Sequence, residues 1–206
     1  MFSLQDFFFK CNKKLEEVII CNSGTLPVLI FAHFLYNFTF AHKVSGMDLI
    51  IRHIEKKDNR AIAELIRTVF REFKIDKPGT VYYDPTTDDL FTLFSNPGSE
   101  YWIAEESGVI IGGCGVYPTP GLPEGCAELV KLYLHSDYRK KGIGKQLMEK
   151  TFESARRSGF KQLYLESMPE LSRAISLYEK AGFRMIPAPL GCSGHFGCKI
   201  WMLKDL

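Results

Sequence analysis

The residues of this chain best suited to hold a ligand are Arg139, Lys140, Lys141, Gly142, Ile143, Gly144 and Lys145, a basic loop with two glycines that opens a helix. Such a loop gathers backbone N–H groups and a helix N-terminus around one point, which is what a polyphosphate requires. A short Gly-x-Gly is also a common turn or helix start, so the loop alone leaves both readings open. A second cluster, Cys192, His195 and Cys198, has the spacing Cys-x-x-His-x-x-Cys near the C-terminus. Zinc would want a fourth ligand and the loop offers no obvious one, so no metal is expected. A place for His195 and Cys198 in the wall of a binding pocket, or plain loop packing, is expected instead. Nucleotide hydrolysis is set aside, because the chain lacks a Gly-Lys-Ser/Thr element and an evident magnesium carboxylate.

The elements that must position these residues are legible from periodicity and turn signals. Alternation over Asp48–Glu55 predicts a strand. Asp58 is expected to cap a helix whose apolar positions Ile62, Leu65, Ile66, Val69, Phe70 and Phe73 recur at three-and-four spacing. A loop with Pro78-Gly79 follows, then a short helix near Asp88–Phe94 that stops at Asn96-Pro97-Gly98. Tyr101–Glu106 and Val109–Tyr117 read as a hairpin around Ser107-Gly108. Gly112, Gly113 and Gly115 inside its second strand point to a bulge or to something lying close against the backbone. The stretch from Glu128 is a strand that feeds the basic loop. The helix after the loop buries Ile143, Leu147, Met148, Phe152 and Ala155 and ends at Gly159. Strand Gln162–Ser167, helix Leu171–Ala181, Phe183–Ile186 and a last strand Lys199–Leu203 complete the chain. Hairpins first and strand–helix alternation later imply a mixed sheet with helices on both faces, an α/β (α+β) fold.

Length and composition bound the answer. The 206 residues are 46% hydrophobic and 24% charged, enough for one domain with a tail. A net charge of +2 gives no global field that favours nucleic acid or an anionic membrane, and neither is expected as a partner. The six cysteines are scattered and are read as reduced thiols of a cytoplasmic protein. Residues 1–46 differ from the rest. Leu26–Ala41 is apolar but shorter than the roughly 20 residues of a membrane span, and it makes an imperfect signal peptide. The reading preferred here is a dispensable extension before a domain of residues 47–206 that starts at Met47; the rival is an anchor or targeting segment.

The order and spacing of these elements resemble the GNAT superfamily of N-acetyltransferases. The family's Arg/Gln-x-x-Gly-x-Gly/Ala loop is matched by Arg139-Lys140-Lys141-Gly142-Ile143-Gly144, and its Tyr-Glu-Lys-x-Gly-Phe element by Tyr178-Glu179-Lys180-Ala181-Gly182-Phe183. The resemblance covers about Met47 to Leu206. It implies a mostly antiparallel sheet of six or seven strands flanked by helices. It also implies acetyl-CoA as co-substrate and acetyl transfer to a primary amine of a small molecule or peptide. Transfer is direct, within a ternary complex, by a monomer or homodimer. A non-catalytic acyl-CoA-binding module of the same fold is the alternative. The cofactor contacts implied are the strand residues Leu132, Tyr133 and Leu134 and the loop from Arg139 to Lys145. One departure is Leu171, where many relatives carry an asparagine; Ser172 or backbone is expected to supply that contact.

Acyl transfer needs a neutral amine, a stabilised oxyanion and a proton for the departing thiolate. The backbone N–H of Leu132 is implied as the oxyanion contact. Strand alternation places Glu128, Val130, Leu132 and Leu134 on one face, so Glu128 is expected to aim at the reacting carbon as general base. A strand-end carboxylate paired with a lysine is the plainer reading. Glu166 is the substitute base or a contact for the substrate ammonium. Tyr178, on an inward helix face, matches the tyrosine that protonates the leaving thiolate in relatives; a core tyrosine is the plainer reading. With His195 and Cys198 in the acceptor pocket, these residues make up the expected site.

Overall fold

The computed structural model describes residues 49–206. The apolar stretch Leu26–Ala41 and the expected domain start at Met47 lie outside the described residues. In chain order the elements are β1 (Leu49–His53), α1 (Asn59–Glu72), α2 (Leu90–Leu93), β2 (Glu100–Glu106), β3 (Val109–Tyr117), β4 (Cys126–Leu134), α3 (Ile143–Arg157), β5 (Gln162–Ser167), α4 (Ser172–Lys180), β6 (Arg184–Ile186) and β7 (Ile200–Asp205). The strands form one sheet in the order β1-β2-β3-β4-β5-β7-β6. Only β4 and β5 run parallel; every other neighbouring pair is antiparallel.

The two faces of the sheet are covered by the helices whose stripes predicted them. Ile62, Ile66, Val69 and Phe70 of α1 pack with Leu90, Tyr101 and Ile103 on one face. On the other, Ile143, Leu147, Met148 and Ala155 of α3 pack with Ile111, Leu129 and Leu163, and Tyr178 of α4 joins them. Asp58 does not cap α1 as expected. Its carboxylate accepts two hydrogen bonds from the Arg52 guanidinium, at 2.6 and 2.9 Å, and one from the Glu55 N–H at 2.8 Å. A buried carboxylate beside a guanidinium gains more from that fork than from a lone helix N–H.

The feature of the sheet that matters most for function is a bulge in β4. Between the pairs Gly115–Val130 and Gly113–Tyr133, β3 advances two residues while β4 advances three, and Lys131 takes up the extra length with φ of 52°. A left-handed lysine is strained by about 1–2 kcal/mol, so other contacts must hold it. Tyr101 supplies one: its ring lies across β3 and its hydroxyl donates to the Lys131 carbonyl at 2.9 Å. The ring fits only over glycines, since a Cβ on Gly113 or Gly115 would lie 2.6 Å from it. The close approach that the glycines predict is therefore made by Tyr101.

The bulge corrects the expected strand alternation. Val130 and Tyr133 pack toward α1, whereas Leu129, Leu132 and Leu134 pack toward α3. Glu128 does not share a face with Leu132 and Leu134, because an extra residue inverts the parity of everything beyond it.

Candidate active site

Strands β4 and β5 pair only at Cys126–Gln162, Ala127–Leu163 and Glu128–Tyr164. Beyond that point they part, and a cavity of about 500 Å³ opens at the fork. Its walls are the ends of β4 and β5, the loop after α1 around Asp84, the loop around Thr119, and the loop that carries Ser193, His195 and Phe196. That last loop is tied across the opening: the Cys192 N–H donates to the Pro120 carbonyl at 2.8 Å and the Gly197 N–H to the Gly79 carbonyl at 2.9 Å.

Glu128 stands at the crotch of the fork and is only 4% exposed. It accepts a hydrogen bond from the Thr119 hydroxyl. Burial pushes its carboxyl up to about 7, with Glu166 adding to the rise while the Thr119 hydrogen bond, His195 and Lys131 oppose it. It is thus not an exposed strand-end carboxylate. Glu166 faces the same cavity with both oxygens engaged, accepting from the Tyr164 hydroxyl and from the Ser193 hydroxyl, each at 2.8 Å. His195 and Cys198 also line the cavity. Burial, reinforced by Glu166 and Glu128, pushes the Cys198 thiol up to about 12, so it stays protonated. Among the described residues no three His, Cys, Asp or Glu side chains converge as a metal site. His195 is turned instead toward Asp84, its Nε2 3.4 Å from the carboxylate.

Three residues of this cavity carried no signal in the sequence. Lys131, swung inward by the bulge, places its ammonium 2.9 Å from Asp84 and 3.3 Å from the Thr87 hydroxyl. Desolvation lowers the pKa of Lys131 against the pull of Asp84. Burial would raise the Asp84 carboxyl, but the hydrogen bond from His195 and the Lys131 charge outweigh it and hold the group far below the usual range. Thr119 is the third, the hydroxyl that orients Glu128. Asp84 and Thr119 reach the cavity from loops and Lys131 from β4 itself.

The basic glycine loop lies at the α3 N-terminus. Lys140 and Gly142 are both left-handed, with φ of 65° and 82°, and they wrap the backbone into a concave turn. The first bond of the helix ladder runs from Gln146 N–H to the Gly142 carbonyl, at 3.1 Å, so the N–H groups of Ile143, Gly144 and Lys145 precede it. The Arg139 side chain does not face the turn. Its guanidinium makes a two-pronged ion pair with Glu72 at the end of α1, and its Nε donates to the Leu134 carbonyl at 3.0 Å. Lys141 lies over the Tyr138 ring at 4.8 Å, and Lys145 sits 3.6 Å from Glu149. Ser172 is exposed at the start of α4.

Tyr178 is buried against Phe183 on the α3 side of the sheet and does not line the cavity that holds Glu128. Burial pushes its phenol well above the ordinary value, so it is protonated at neutral pH.

Residues 60–183, more than half of the chain, match the family model described as the Acetyltransferase (GNAT) family. The chain belongs to that family. A GNAT relative from Escherichia coli (strain K12), the uncharacterized N-acetyltransferase YjgM, is 42% identical over 80% of this chain and 99% of its own length. Human N-acetyltransferase 8 is 31% identical over 54% of this chain and 52% of its own. Among solved GNAT structures, an acetyltransferase from Staphylococcus aureus Mu50 superposes with a TM-score of 0.69 at 20% identity, over 76% of this chain and 98% of that one. The PaiA N-acetyltransferase of Thermoplasma acidophilum, solved with coenzyme A, gives 0.61 at 21% identity over 78% and 100%. The protein is accordingly an acetyltransferase with the GNAT sheet. No helix among the described residues is long and apolar enough to cross a membrane.

Proposed function

We propose that this acetyltransferase moves the acetyl group of acetyl-CoA directly to a primary amine of a small molecule or peptide, with Glu128 as general base. The observation that carries the reading is Glu128 itself, a buried carboxyl at about 7 in the crotch of the fork. An amine of ordinary pKa near 10.4 arrives as an ammonium and must lose a proton before it can attack. A carboxyl near 7 accepts that proton close to working pH far better than one near 4. Glu166, fixed by Tyr164 and Ser193, gives the arriving ammonium a second carboxylate in the same cavity.

In the step proposed, the amine nitrogen bonds to the thioester carbon as the carbon–sulfur bond breaks. The ammonium first passes one proton through Glu128 to solvent; when the neutral nitrogen has bonded to carbon, its second surplus proton goes to Glu128, and the departing sulfur takes a proton of its own. Tyr178 is the donor to sulfur and regains its proton from solvent, a role supported by its protonated phenol on the α3 side of the sheet. The left-handed turn at Lys140–Gly142 and the N–H groups of Ile143 to Lys145 are suited to the cofactor's pyrophosphate. Arg139, held by Glu72, would contribute by fixing the loop rather than by touching phosphate. A cysteine intermediate is not needed, and the protonated Cys198 thiol is poorly suited to one. The four described cysteines are free, in keeping with a cytoplasmic protein.

The test is thiol release from acetyl-CoA across a panel of amines and short peptides. Acceptor-dependent release is expected; tight acetyl-CoA binding with no turnover for any acceptor would favour the non-catalytic module.

A further inference from the structure

The charges that line the cavity are unevenly committed. Among the described residues, the two lining side chains able to carry positive charge, Lys131 and His195, both turn to one carboxylate, Asp84, at 2.9 and 3.4 Å. Asp84 is fully engaged, and neither cation is left over for an anionic group on a ligand. Glu166 is different. Its oxygens accept only from the neutral hydroxyls of Tyr164 and Ser193 among the described residues, and Glu128 lines the same cavity. The cavity thus offers unopposed negative charge at one place, the fork, which suits one ammonium. The rest of the wall is uncharged. Toward α1 it is made by Phe70, Val81, Leu93, Tyr117, Val130 and Tyr133, all part of the apolar cluster on that face. Two further aromatic rings line the cavity yet stay largely in water, Tyr83 at 60% and Phe196 at 73% exposed, and so stand at its mouth. Phe196 is fixed there by backbone. Its ring lies directly on Gly79, where any Cβ would collide with it, and the Gly197 N–H holds the Gly79 carbonyl at 2.9 Å. A ring left in water gains little from folding, but at a cavity mouth it gives an apolar ligand a face to stack on.

We propose that the acceptor is a primary amine borne on a single uncharged apolar body, aromatic or branched, with neither a carboxylate beside the amine nor a second ammonium. This deepens the acetyl-transfer reading above and rests on it. The nitrogen enters first, toward Glu166 and Glu128, and the body lies along the α1 wall with its outer end against Tyr83 and Phe196. Each excluded class fails on named groups. A free amino acid would bring its carboxylate in beside Glu128 and Glu166 with no free cation to meet it, and an unpaired charge out of water is costly. A polyamine would bring a second ammonium to a wall of hydrocarbon and rings, where the remaining carboxylate, Asp84, is already held by Lys131 and His195. An uncharged apolar body meets neither cost and covers its own surface against the wall.

The experiment measures thiol release from acetyl-CoA by the full-length protein with 2-phenylethylamine, n-butylamine, L-phenylalanine and 1,4-diaminobutane as acceptors. The first is expected to give the highest kcat/KM. L-Phenylalanine differs from it only by the carboxylate and should fall at least about 100-fold below it, and 1,4-diaminobutane at least about 10-fold below it. In Phe196→Ala and in Tyr83→Ala, both at exposed positions, the preference for 2-phenylethylamine over n-butylamine should drop by about 3- to 10-fold, the worth of one aromatic contact. The melting temperature of each variant is expected to match the wild type. Equal or better use of L-phenylalanine or of 1,4-diaminobutane would overturn the proposal and leave acetyl transfer standing. So would a preference that neither variant reduces. Release with none of these four amines but with another member of the wider panel overturns the proposal alone; release with no amine at all overturns the acetyl-transfer reading with it.

Discussion

Replacing Glu128 by glutamine should cost the enzyme its activity and make it more stable, and the gain should depend on pH. The folded protein holds the carboxyl near 7, whereas its ordinary value is 4.5. Between those values the folded state keeps a proton that the unfolded chain has lost, so stability falls as pH rises through the window. At 1.36 kcal/mol per pH unit, the full penalty above pH 7 is on the order of 3 kcal/mol. Below about pH 4.5 it is absent, because both states are protonated. Glutamine cannot ionise, yet its amide oxygen can still accept from Thr119. Glu128→Gln should therefore match the wild type in stability near pH 4.5 and exceed it by on the order of 2–3 kcal/mol at pH 8, several degrees in melting temperature for a chain of this size. Acceptor-dependent thiol release should drop by about 100- to 10,000-fold, the worth of a positioned base. The wild-type kcat/KM should rise through a midpoint near 7 that the variant lacks. Denaturant unfolding from pH 4.5 to 8 measures the stability arm. A stability difference that does not change with pH would refute burial as the cause of the raised pKa, and with it the argument for Glu128 as base.

Three further variants probe the remaining parts. Tyr178→Phe should lower kcat by at least about 10-fold and leave acetyl-CoA affinity near wild type, since only the proton for sulfur is lost; steady-state kinetics paired with calorimetry reads both. Gly142→Asp should abolish acetyl-CoA binding while the protein stays folded: space for a side chain is open there, but the φ of 82° disfavours it and a negative charge would face the helix N-terminus. Calorimetry together with circular dichroism checks this. Asp84→Asn leaves the Lys131 ammonium buried without a counter-charge and should destabilise by about 3 kcal/mol, whereas the double variant Asp84→Asn/Lys131→Met should recover more than half of the loss. Denaturant unfolding of both variants measures the difference.

Strand and helix positions could be read from the sequence because they depend on neighbours a few residues away. Strand Gln162–Ser167, the hairpin at Ser107-Gly108 and the stripe of α3 all follow from period and turn residues. The roles of Lys131, Asp84 and Arg139 could not be read, because each is set by a partner far along the chain. Lys131 meets Asp84 across 47 positions, and Arg139 meets Glu72 across 67. No local pattern encodes such pairs. The insertion of β7 between β5 and β6 is likewise a tertiary choice, and the sequence alone did not order those strands. The alternation expected from Glu128 to Leu134 fails at the bulge, which no residue type in β4 announces.

That bulge links the parts of the site. Without the extra residue at Lys131, alternation would turn Leu132 and Leu134 into the carboxylate-lined cavity and Tyr133 away from it. With it, Glu128 and the Lys131 ammonium share the α1 side, while Leu132 and Leu134 face α3 with Tyr178. On the proposed reading, one residue of added length thus assigns acceptor chemistry and cofactor contacts to opposite faces of one strand. The strained lysine is held by a single long-range device, the Tyr101 hydroxyl reaching over Gly113 and Gly115. The glycines on β3 are needed not for their own flexibility but to admit that ring. Tyr101, Gly113 and Gly115 therefore help to set which way the β4 side chains beyond the bulge face, and their signal in the sequence is a run of glycines in a strand otherwise well suited to larger side chains.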